Sequence, residues 1–248
     1  MSTIYILWLR QLKRYIRSRA RLVGSLGQPL LFFVALGFGF GPIYQKAGGG
    51  NYIQFLVPGI VAMGILFLSF FFGIELIWDR QFGFLKETLV APVSRTAILV
   101  GRTLGGATVG TVQGILIFLI ALAVGYRPPS LLLIPLALVF MFLIAFVFTI
   151  LGTAIASLMN DMQAFPVITN FLIMPLFFLS GALFPLDGLP TSIRLVSYAD
   201  PLSYGVDGLR AALVGTTHFG IGLDLLVLCG TTVLFLAIGS YVFSKIQA

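Results

Sequence analysis

The chain has 248 residues, of which 59% are hydrophobic and only 9% are charged, with a formal net charge of +7. Soluble domains are about 45–50% apolar and about 25% charged, so this composition excludes an ordinary soluble globular protein. It also excludes a disordered chain, which combines low hydrophobicity with high charge. The composition predicts an all-α polytopic membrane protein with a single transmembrane domain over residues 1–248.

The first segment, residues 1–21, has the pattern of an amphipathic interfacial helix. At 100° per residue, one face carries Tyr5, Trp8, Leu12, Tyr15 and Ile16, and the opposite face carries Arg10, Lys13, Arg14, Arg17 and Arg21. Such a helix lies in the membrane interface, with its basic side chains directed toward anionic lipid or a partner. The pattern leaves open whether the helix only anchors the topology or is an elbow that also touches a cytoplasmic subunit.

Six long apolar segments follow, each near or above the length of about 20 residues that a bilayer-spanning helix needs. Glycine, proline and charged residues separate them. The segments cover about residues 22–42, 52–78, 96–124, 131–159, 164–184 and 221–243. They predict six transmembrane helices.

The distribution of basic residues predicts the orientation, because Lys and Arg in short loops are enriched on the cytoplasmic side. With a cytoplasmic N-terminus, only Lys46, Arg127, Arg194 and Arg210 of the 15 basic residues lie outside. Both termini are then cytoplasmic, and we expect a prokaryotic plasma (inner) membrane. The basic residues flank apolar segments instead of covering a soluble surface, so we do not expect nucleic acid as a partner.

The segment 79–95 is a cytoplasmic loop in this topology, and it mixes charges with apolar residues. Phe82, Leu85 and Leu89 have helical spacing, and Pro92 disfavours helix in the residue before it. Apolar side chains in such a loop need a partner to cover them. Two interpretations stay open: the segment lies back on the bilayer surface, or it forms a docking helix for another protein.

Polar and small residues near the span ends add two expectations. Glu75 and Arg102 lie near the cytoplasmic ends of the second and third segments, where they either form an ion pair or extend separately to the headgroups. Glycines from Gly101 to Gly114 have the spacing that permits close helix approach, which we interpret as packing within the chain.

The outer segment 185–220 is too polar to span and too apolar to be a free loop. Asp200 followed by Pro201 predicts a helix N-cap with proline at the first helical position. Asp207 and Arg210 are three residues apart and can pair on a helix. We therefore expect two short re-entrant helices that dip into the outer leaflet.

Two motif blocks resemble a known family. The first reads DRQFGFLKE from Asp79, then APVSR from Ala91 and ILVGR from Ile98; the second reads FLSGALFPL from Phe178, then DPLSYGVDGLR from Asp200. Both blocks resemble the permeases of type-2 ABC exporters. The resemblance is greatest to the daunorubicin-resistance-type multidrug permeases and to nodulation and polysaccharide export permeases.

The resemblance implies that two permease chains, identical or related, pair in the membrane and bind two copies of a cytoplasmic P-loop ATPase subunit. The implied ATPase-coupling residues are Phe82, Phe84, Leu85, Lys86, Glu87, Leu89, Pro92 and Arg95. The implied elbow residues against the same ATPase are Trp8, Arg10, Lys13, Arg14 and Arg17. The outer helices, with Asp200, Pro201, Tyr204, Asp207 and Arg210, are implied to roof the transport pathway.

The sequence predicts a permease subunit and not an enzyme. A P-loop needs Gly-x-x-x-x-Gly-Lys-Ser/Thr, whereas the four lysines here follow Leu12, Gln45, Leu85 and Ser244. We therefore expect ATP and Mg in a partner ATPase, and no cofactor on this chain. The predicted function is export of an amphipathic drug, lipid or glycolipid from the cytoplasm or inner leaflet; the alternative is an ion-coupled secondary carrier or channel.

Overall fold

The computed structural model describes residues 3–46, 51–90, 92–159, 161–186 and 190–245, and this part of the chain is helical without any strand. The helices are α1 (Thr3–Arg17), α2 (Arg19–Lys46), α3 (Tyr52–Phe71), α4 (Ile74–Gln81), α5 (Phe84–Val90), α6 (Arg95–Ala123), α7 (Ile134–Ser157), α8 (Ala164–Leu179), α9 (Thr191–Ala199), α10 (Pro201–Leu213) and α11 (Ile221–Ser244). A short 3-10 turn, Leu131–Leu133, leads into α7.

Five helical stretches in the described part are long and apolar enough to cross a membrane: 19–46, 52–81, 95–123, 131–157 and 221–244. They confirm five of the six predicted segments as helices of spanning length. The remaining segment, the fifth in chain order, is also helical but shorter than predicted, because α8 has 16 residues and ends at Leu179. At 1.5 Å per residue it is about 24 Å long, against a hydrocarbon core of about 30 Å. The chain then turns at Gly181, whose φ is 75°.

Helix α3 forms the centre of the bundle. It packs against α2, α6, α7, α8 and α10, and most of its residues are buried. Helices α2 and α11 lie at the periphery and expose most of their apolar side chains. The described residues therefore form a main apolar core around α3, in which the largest buried side chains are phenylalanines. A second, small cluster consists of Tyr15, Phe72 and Val109.

The second predicted span is interrupted between α3 and α4. At this break the backbone of Gly73 presses against the carbonyl of Gly152 in α7, and Gly152 presses in turn against the carbonyl of Phe70. A Cβ on either glycine would overlap the opposing backbone. Close approach of two backbones without side chains between them fixes the position of the break against α7.

The glycines of α6 pack within the chain, as predicted. Gly101 and Gly105 face α1, whereas Gly106 faces Thr149 of α7 and Gly110 faces Ser69 of α3. The small residues thus allow three helices to approach α6 closely.

Helix α1 packs against α6, a contact for which its amphipathic pattern makes no prediction. Its buried residues are Leu7, Gln11 and Tyr15, whereas Tyr5 and Ile16 of the predicted apolar face are exposed. Leu7 and Gln11 are buried because Gly101 and Gly105 of α6 leave room for them. The helix also ends at Arg17, so that Arg21 belongs to α2.

We predict that Gly152→Ala lowers the melting temperature of the detergent-solubilised protein, because the added methyl group forces α7 away from the α3–α4 break. Overpacking of this kind costs about 1–3 kcal/mol. Gly230→Ala in α11 is the matched control, since a Cβ there meets open space. Alanine favours helix by up to about 1 kcal/mol over glycine, so the control keeps or raises the melting temperature. Equal melting temperatures for the two variants would contradict the close contact.

Candidate functional site

One end of the bundle carries most of the basic residues; we call it the basic end. Here Arg95, at the start of α6, donates a hydrogen bond to the carbonyl oxygen of Ser244, at the end of α11. Arg80 in α4 donates to the carbonyl oxygens of Met159 and Ser157, which follow and end α7. The basic end therefore gathers α4, the start of α6 and the ends of α7 and α11.

Six charged side chains meet at the basic end and form what we call the ion cluster. Its members come from α1 (Arg10 and Arg14), α2 (Arg21), α4 (Glu75 and Asp79) and α6 (Arg102). Four guanidinium groups thus surround two carboxylates, which leaves the cluster with an excess of two positive charges. The ion cluster ties α1, α2 and α6 to α4.

The pair of Asp79 and Arg102 is the buried centre of this cluster. Arg102 Nη1 lies 2.5 Å from Asp79 Oδ2, and the two side chains are only 5% and 4% exposed. A buried charge is tolerated only when it is paired and hydrogen-bonded, so each of these residues requires the other. Arg10 and Arg14 add contacts of 3.4 and 3.6 Å to Asp79 Oδ1.

Neither of the two alternatives for Glu75 and Arg102 holds, because the two residues do not pair with each other and do not extend separately to the headgroups. Glu75 Oε1 accepts instead from Arg21 Nη1 at 2.5 Å, and its Oε2 lies 3.6 Å from Arg14 Nη1. The reason is geometric: one helical turn separates Glu75 from Asp79 on α4, and Arg102 lies level with the later residue. Glu75 thus takes part in ion pairs at the end of the span, but its partners come from α1 and α2.

Helix α5 projects from this end as a separate short element. Gly83, with a φ of 80°, breaks the chain between α4 and α5, a conformation that favours glycine. A helix of seven residues is not stable alone in water, and α5 is held by Leu85, whose side chain is 1% exposed within the apolar core. Phe82 (72% exposed) and Phe84 (51%) point away from that core.

The other predicted coupling residues lie on the surface around α5. Lys86, Glu87, Pro92 and Arg95 are exposed. The side chain of Leu89 lies outside the part of the chain that the structure describes. Helix α5 ends at Val90, just before Pro92, as the sequence predicts. Phe82 differs from the expectation, since it follows the end of α4 and does not belong to α5.

The predicted elbow residues fall into two groups. Trp8 donates a hydrogen bond from Nε1 to Thr108 Oγ1 of α6 at 3.0 Å, and Arg10 and Arg14 turn inward to the ion cluster. Lys13 and Arg17 remain exposed. Only this second pair is available for a contact outside the chain, together with the exposed parts of Arg10 and Arg14.

The opposite end of the bundle contains α9 and α10, which confirm the two short helices predicted there. Asp200 is the N-cap of α10: its Oδ1 accepts from the backbone N–H of Leu202 at 2.9 Å, and Pro201 follows at the first helical position. Tyr204 donates a hydrogen bond to the carbonyl oxygen of Tyr198, which joins α10 to α9.

Asp207 and Arg210 do not form the predicted pair. The Asp207 carboxylate accepts hydrogen bonds from Thr217 Oγ1 and from the backbone N–H groups of His218 and Phe219, all at 2.8–2.9 Å. Arg210 donates to the carbonyl oxygen of Gly181 and lies over the ring of Phe55. Burial lowers the pKa of Arg210 to about 10, so the side chain is charged at neutral pH. Each residue thus orders a different loop.

Comparison with known proteins decides the family. The model of the family described as "ABC-2 type transporter" matches residues 2–214 of this chain. The chain belongs to the ABC-2 type transporter family. It is 28% identical to the putative transport permease ycf38 of Cyanophora paradoxa, with 99% of this chain and 89% of that protein covered.

Two bacterial relatives of this ABC-2 type permease agree. Nodulation protein J of Rhizobium leguminosarum bv. trifolii is 30% identical over 85% of this chain and 78% of its own length. The inner membrane transport permease YadH of Escherichia coli (strain K12) is 28% identical over 87% of this chain and 86% of its own length. The chain is therefore an integral membrane transport permease of a family that generally pairs with an ABC ATPase subunit.

Sequence reasoning missed Asp79, Arg80 and Arg21 as members of the site. The apolar pattern ends the second span at residue 78, just before Asp79 and Arg80, whereas α4 continues to Gln81. The signal that identifies Asp79 is its spacing of four from Glu75, which places both carboxylates on one face of a helix. The matching spacing of Arg10 and Arg14 on α1 is the complementary signal.

We predict that Asp79→Asn strongly destabilises the permease, because it leaves the buried Arg102 guanidinium without its closest counter-charge. Breaking a buried pair by removal of one partner costs about 3–5 kcal/mol. Glu87→Gln, which neutralises an exposed carboxylate of α5, is the control and stays within about 0.5 kcal/mol. Thermal unfolding in detergent measures both. If Asp79→Asn melts at the temperature of the control, Asp79 does not hold the cluster together.

A second prediction concerns pH at α10. Burial raises the pKa of Asp200 to about 7, despite the hydrogen bond from Leu202, which lowers it. The folded state therefore binds a proton that the unfolded state has released, so the contribution of Asp200 to stability falls as pH rises from about 4 to about 7. Asp200→Asn preserves an N-cap acceptor without the charge. We expect the melting temperature of Asp200→Asn, relative to wild type, to increase between pH 5 and pH 8; a constant difference would contradict the raised pKa.

Proposed function

We propose that the chain is the transmembrane permease subunit of an ATP-driven exporter that moves an amphipathic drug, lipid or glycolipid out of the cytoplasm or inner leaflet. A separate ATPase subunit binds ATP and Mg and supplies the energy. The observation that carries this proposal is α5, a short helix whose only deeply buried described side chain is Leu85 and whose aromatic neighbours project from the basic end.

The exposed surface of α5 suits a protein partner better than the bilayer surface. Phe82, Phe84 and Val90 are apolar and uncovered, and they alternate with the exposed charges of Lys86 and Glu87. An interface of this kind combines aromatic anchors with a polar rim. The side chain of Leu85 fixes α5 to the core. A force that a partner exerts on the exposed face of α5 is therefore expected to reach α4 and not only to bend the connection at Gly83.

The orientation of the proposed exporter in the membrane follows from the basic residues at the basic end. The positive-inside rule places the basic end in the cytoplasm, together with both termini. Helix α8 serves as the fifth of the six spans in this topology, although it is short. It begins near the α3–α4 break, where Phe165 stacks on Phe70 at 5.4 Å. The turn after it contacts Gly59 in the first half of α3, and Tyr52 at the start of α3 donates a hydrogen bond to the carbonyl oxygen of Leu183. A span count of six returns the chain to the cytoplasmic side.

The transport pathway in this proposal lies between two permease chains, identical or related. Helices α2 and α8 expose apolar side chains, including Leu31 and Phe171, and they are available to line it. Helices α9 and α10 roof the pathway at the outer end. The hydrogen bonds of Asp207 and Arg210 hold that roof to the loop before α11 and to the turn after α8.

We predict that Phe82→Ser combined with Phe84→Ser weakens the complex with the ATPase subunit by at least tenfold. Burial of a large apolar side chain contributes about 1.5–3 kcal/mol, so the loss of one already corresponds to about tenfold. Copurification of the ATPase subunit and transport-coupled ATP turnover measure the effect. Glu87→Ala, which removes a rim charge, weakens the complex to a smaller extent.

Phe171→Ser is the matched control for copurification alone, because Phe171 is at least as exposed as the two coupling residues and lies on α8, on the proposed pathway. The control retains the ATPase subunit, and all variants keep the wild-type melting temperature, since the altered side chains lie outside the core. Undiminished copurification and ATP turnover in the Phe82/Phe84 variant would refute α5 as the coupling element. The ligand that stimulates ATP turnover in the reconstituted complex identifies the cargo.

A further inference from the structure

A cleft of about 380 Å³ lies between α2 on one side and α3 and α4 on the other. Its volume is within the range of about 300–1,000 Å³ that small-molecule sites occupy. The lining changes character along its length. One part is apolar, with Phe67, Phe71 and Pro29, and the part nearest the ion cluster is polar, with Arg21, Ser25, Gln28, Glu75 and Trp78. The cleft is therefore amphipathic.

The polar part contains hydrogen-bonding groups without partners among the described residues. Trp78 Nε1 is a buried donor without an acceptor, and Glu75 Oε2 accepts no hydrogen bond, although Arg14 lies 3.6 Å away. Buried polar atoms in folded proteins nearly always have a partner, so the unsatisfied N–H of this lining residue favours a ligand that brings an oxygen acceptor. Because Nε1 is enclosed by the protein, the acceptor reaches it only after the Trp78 ring shifts toward the cleft.

We propose that this cleft binds a bilayer phospholipid, with its phosphate at Arg21 and Trp78 and one acyl chain along Phe67 and Phe71. The site concerns lipid binding and does not depend on the proposed export function. The cleft is bounded by two helices that are long and apolar enough to span the membrane, so it opens where acyl chains are present.

Charge complementarity supports a phosphate in place of an uncharged headgroup. Arg21 donates from Nη1 to Glu75, and its side chain remains 30% exposed, so further N–H donors of the guanidinium face the cleft. The ion cluster carries two more positive than negative charges, and Arg14 also lies over the ring of Trp78. An anionic group at this position balances part of that excess and satisfies the indole N–H.

The chain offers a substitution that fills the cleft without disturbing the bundle. Gly24 lines the cleft, and a Cβ added there meets no atom within 4 Å. Gly24→Phe therefore places an aromatic ring at the wall of the cleft and reduces the space for a ligand. Gly27 lies one turn further along α2, does not line the cleft, and also has open space around an added Cβ. Gly27→Phe is thus a control on the same helix with the same change in volume.

Tryptophan fluorescence reports on the site directly, because the chain has only two tryptophans, Trp8 and Trp78. In a Trp8→Phe background of the full-length protein in uncharged detergent, phosphatidylglycerol with brominated acyl chains is titrated and quenching of Trp78 is followed. We expect saturable quenching. Diacylglycerol with the same brominated chains, which lacks the phosphate, is expected to bind at least tenfold more weakly.

The variants separate binding in the cleft from quenching by surrounding lipid. Gly24→Phe is expected to raise the apparent Kd for phosphatidylglycerol at least tenfold, whereas Gly27→Phe leaves it unchanged. Arg21→Gln is expected to reduce the preference for phosphatidylglycerol over diacylglycerol and provides a second test if Gly24→Phe fails to fold. Equal quenching by the two lipids, or none that saturates, overturns the proposal. Phosphatidylglycerol displaced by a transported amphipath would make the cleft a cargo site and also overturn the assignment.

Discussion

The arrangement at the basic end depends on the cost of placing charge at the edge of a membrane. Asp79 and Arg102 are almost completely buried, and neither charge is tolerated in that environment without the other. Because Asp79 also attracts Arg10 and Arg14, the same requirement fixes α1 against α4. Electrostatic compensation within the chain thus determines where the N-terminal helix lies. If α1 lay in the membrane interface without contact to the bundle, Asp79 would lose its contacts with Arg10 and Arg14.

Steric fit complements this electrostatic constraint. Helix α1 reaches α4 only because it lies close to α6, and it lies close to α6 only because Gly101 and Gly105 have no side chains in the way. The contact of Gly73 with Gly152 has a similar effect on the other side of α4, where it sets the α3–α4 break against α7. Helix α4 is therefore held by ion pairs on one side and by backbone contact near its start.

The sequence predicts the features that depend on local pattern and misses those that depend on how helices face each other. Long apolar segments identify the spans, and the pair of Asp200 and Pro201 identifies the start of α10, because capping involves adjacent residues. The partners of Glu75 could not be predicted in the same way, since Arg14 and Arg21 lie more than 50 positions away in the chain. The buried face of α1 depends on the glycines of α6 for the same reason. The length of α8 was overestimated because apolar character continues beyond Leu179, where the backbone turns.

Helix α4 connects the proposed coupling surface with the proposed lipid cleft. Its last turn leads through Gly83 to α5, whereas Glu75 and Trp78 on the same eight-residue helix line the cleft. Arg80 fastens the end of α4 to the end of α7 by two hydrogen bonds. In the two proposals α4 is the shared element, because it precedes α5 in the chain and carries Glu75, the partner of Arg21 at the polar end of the cleft.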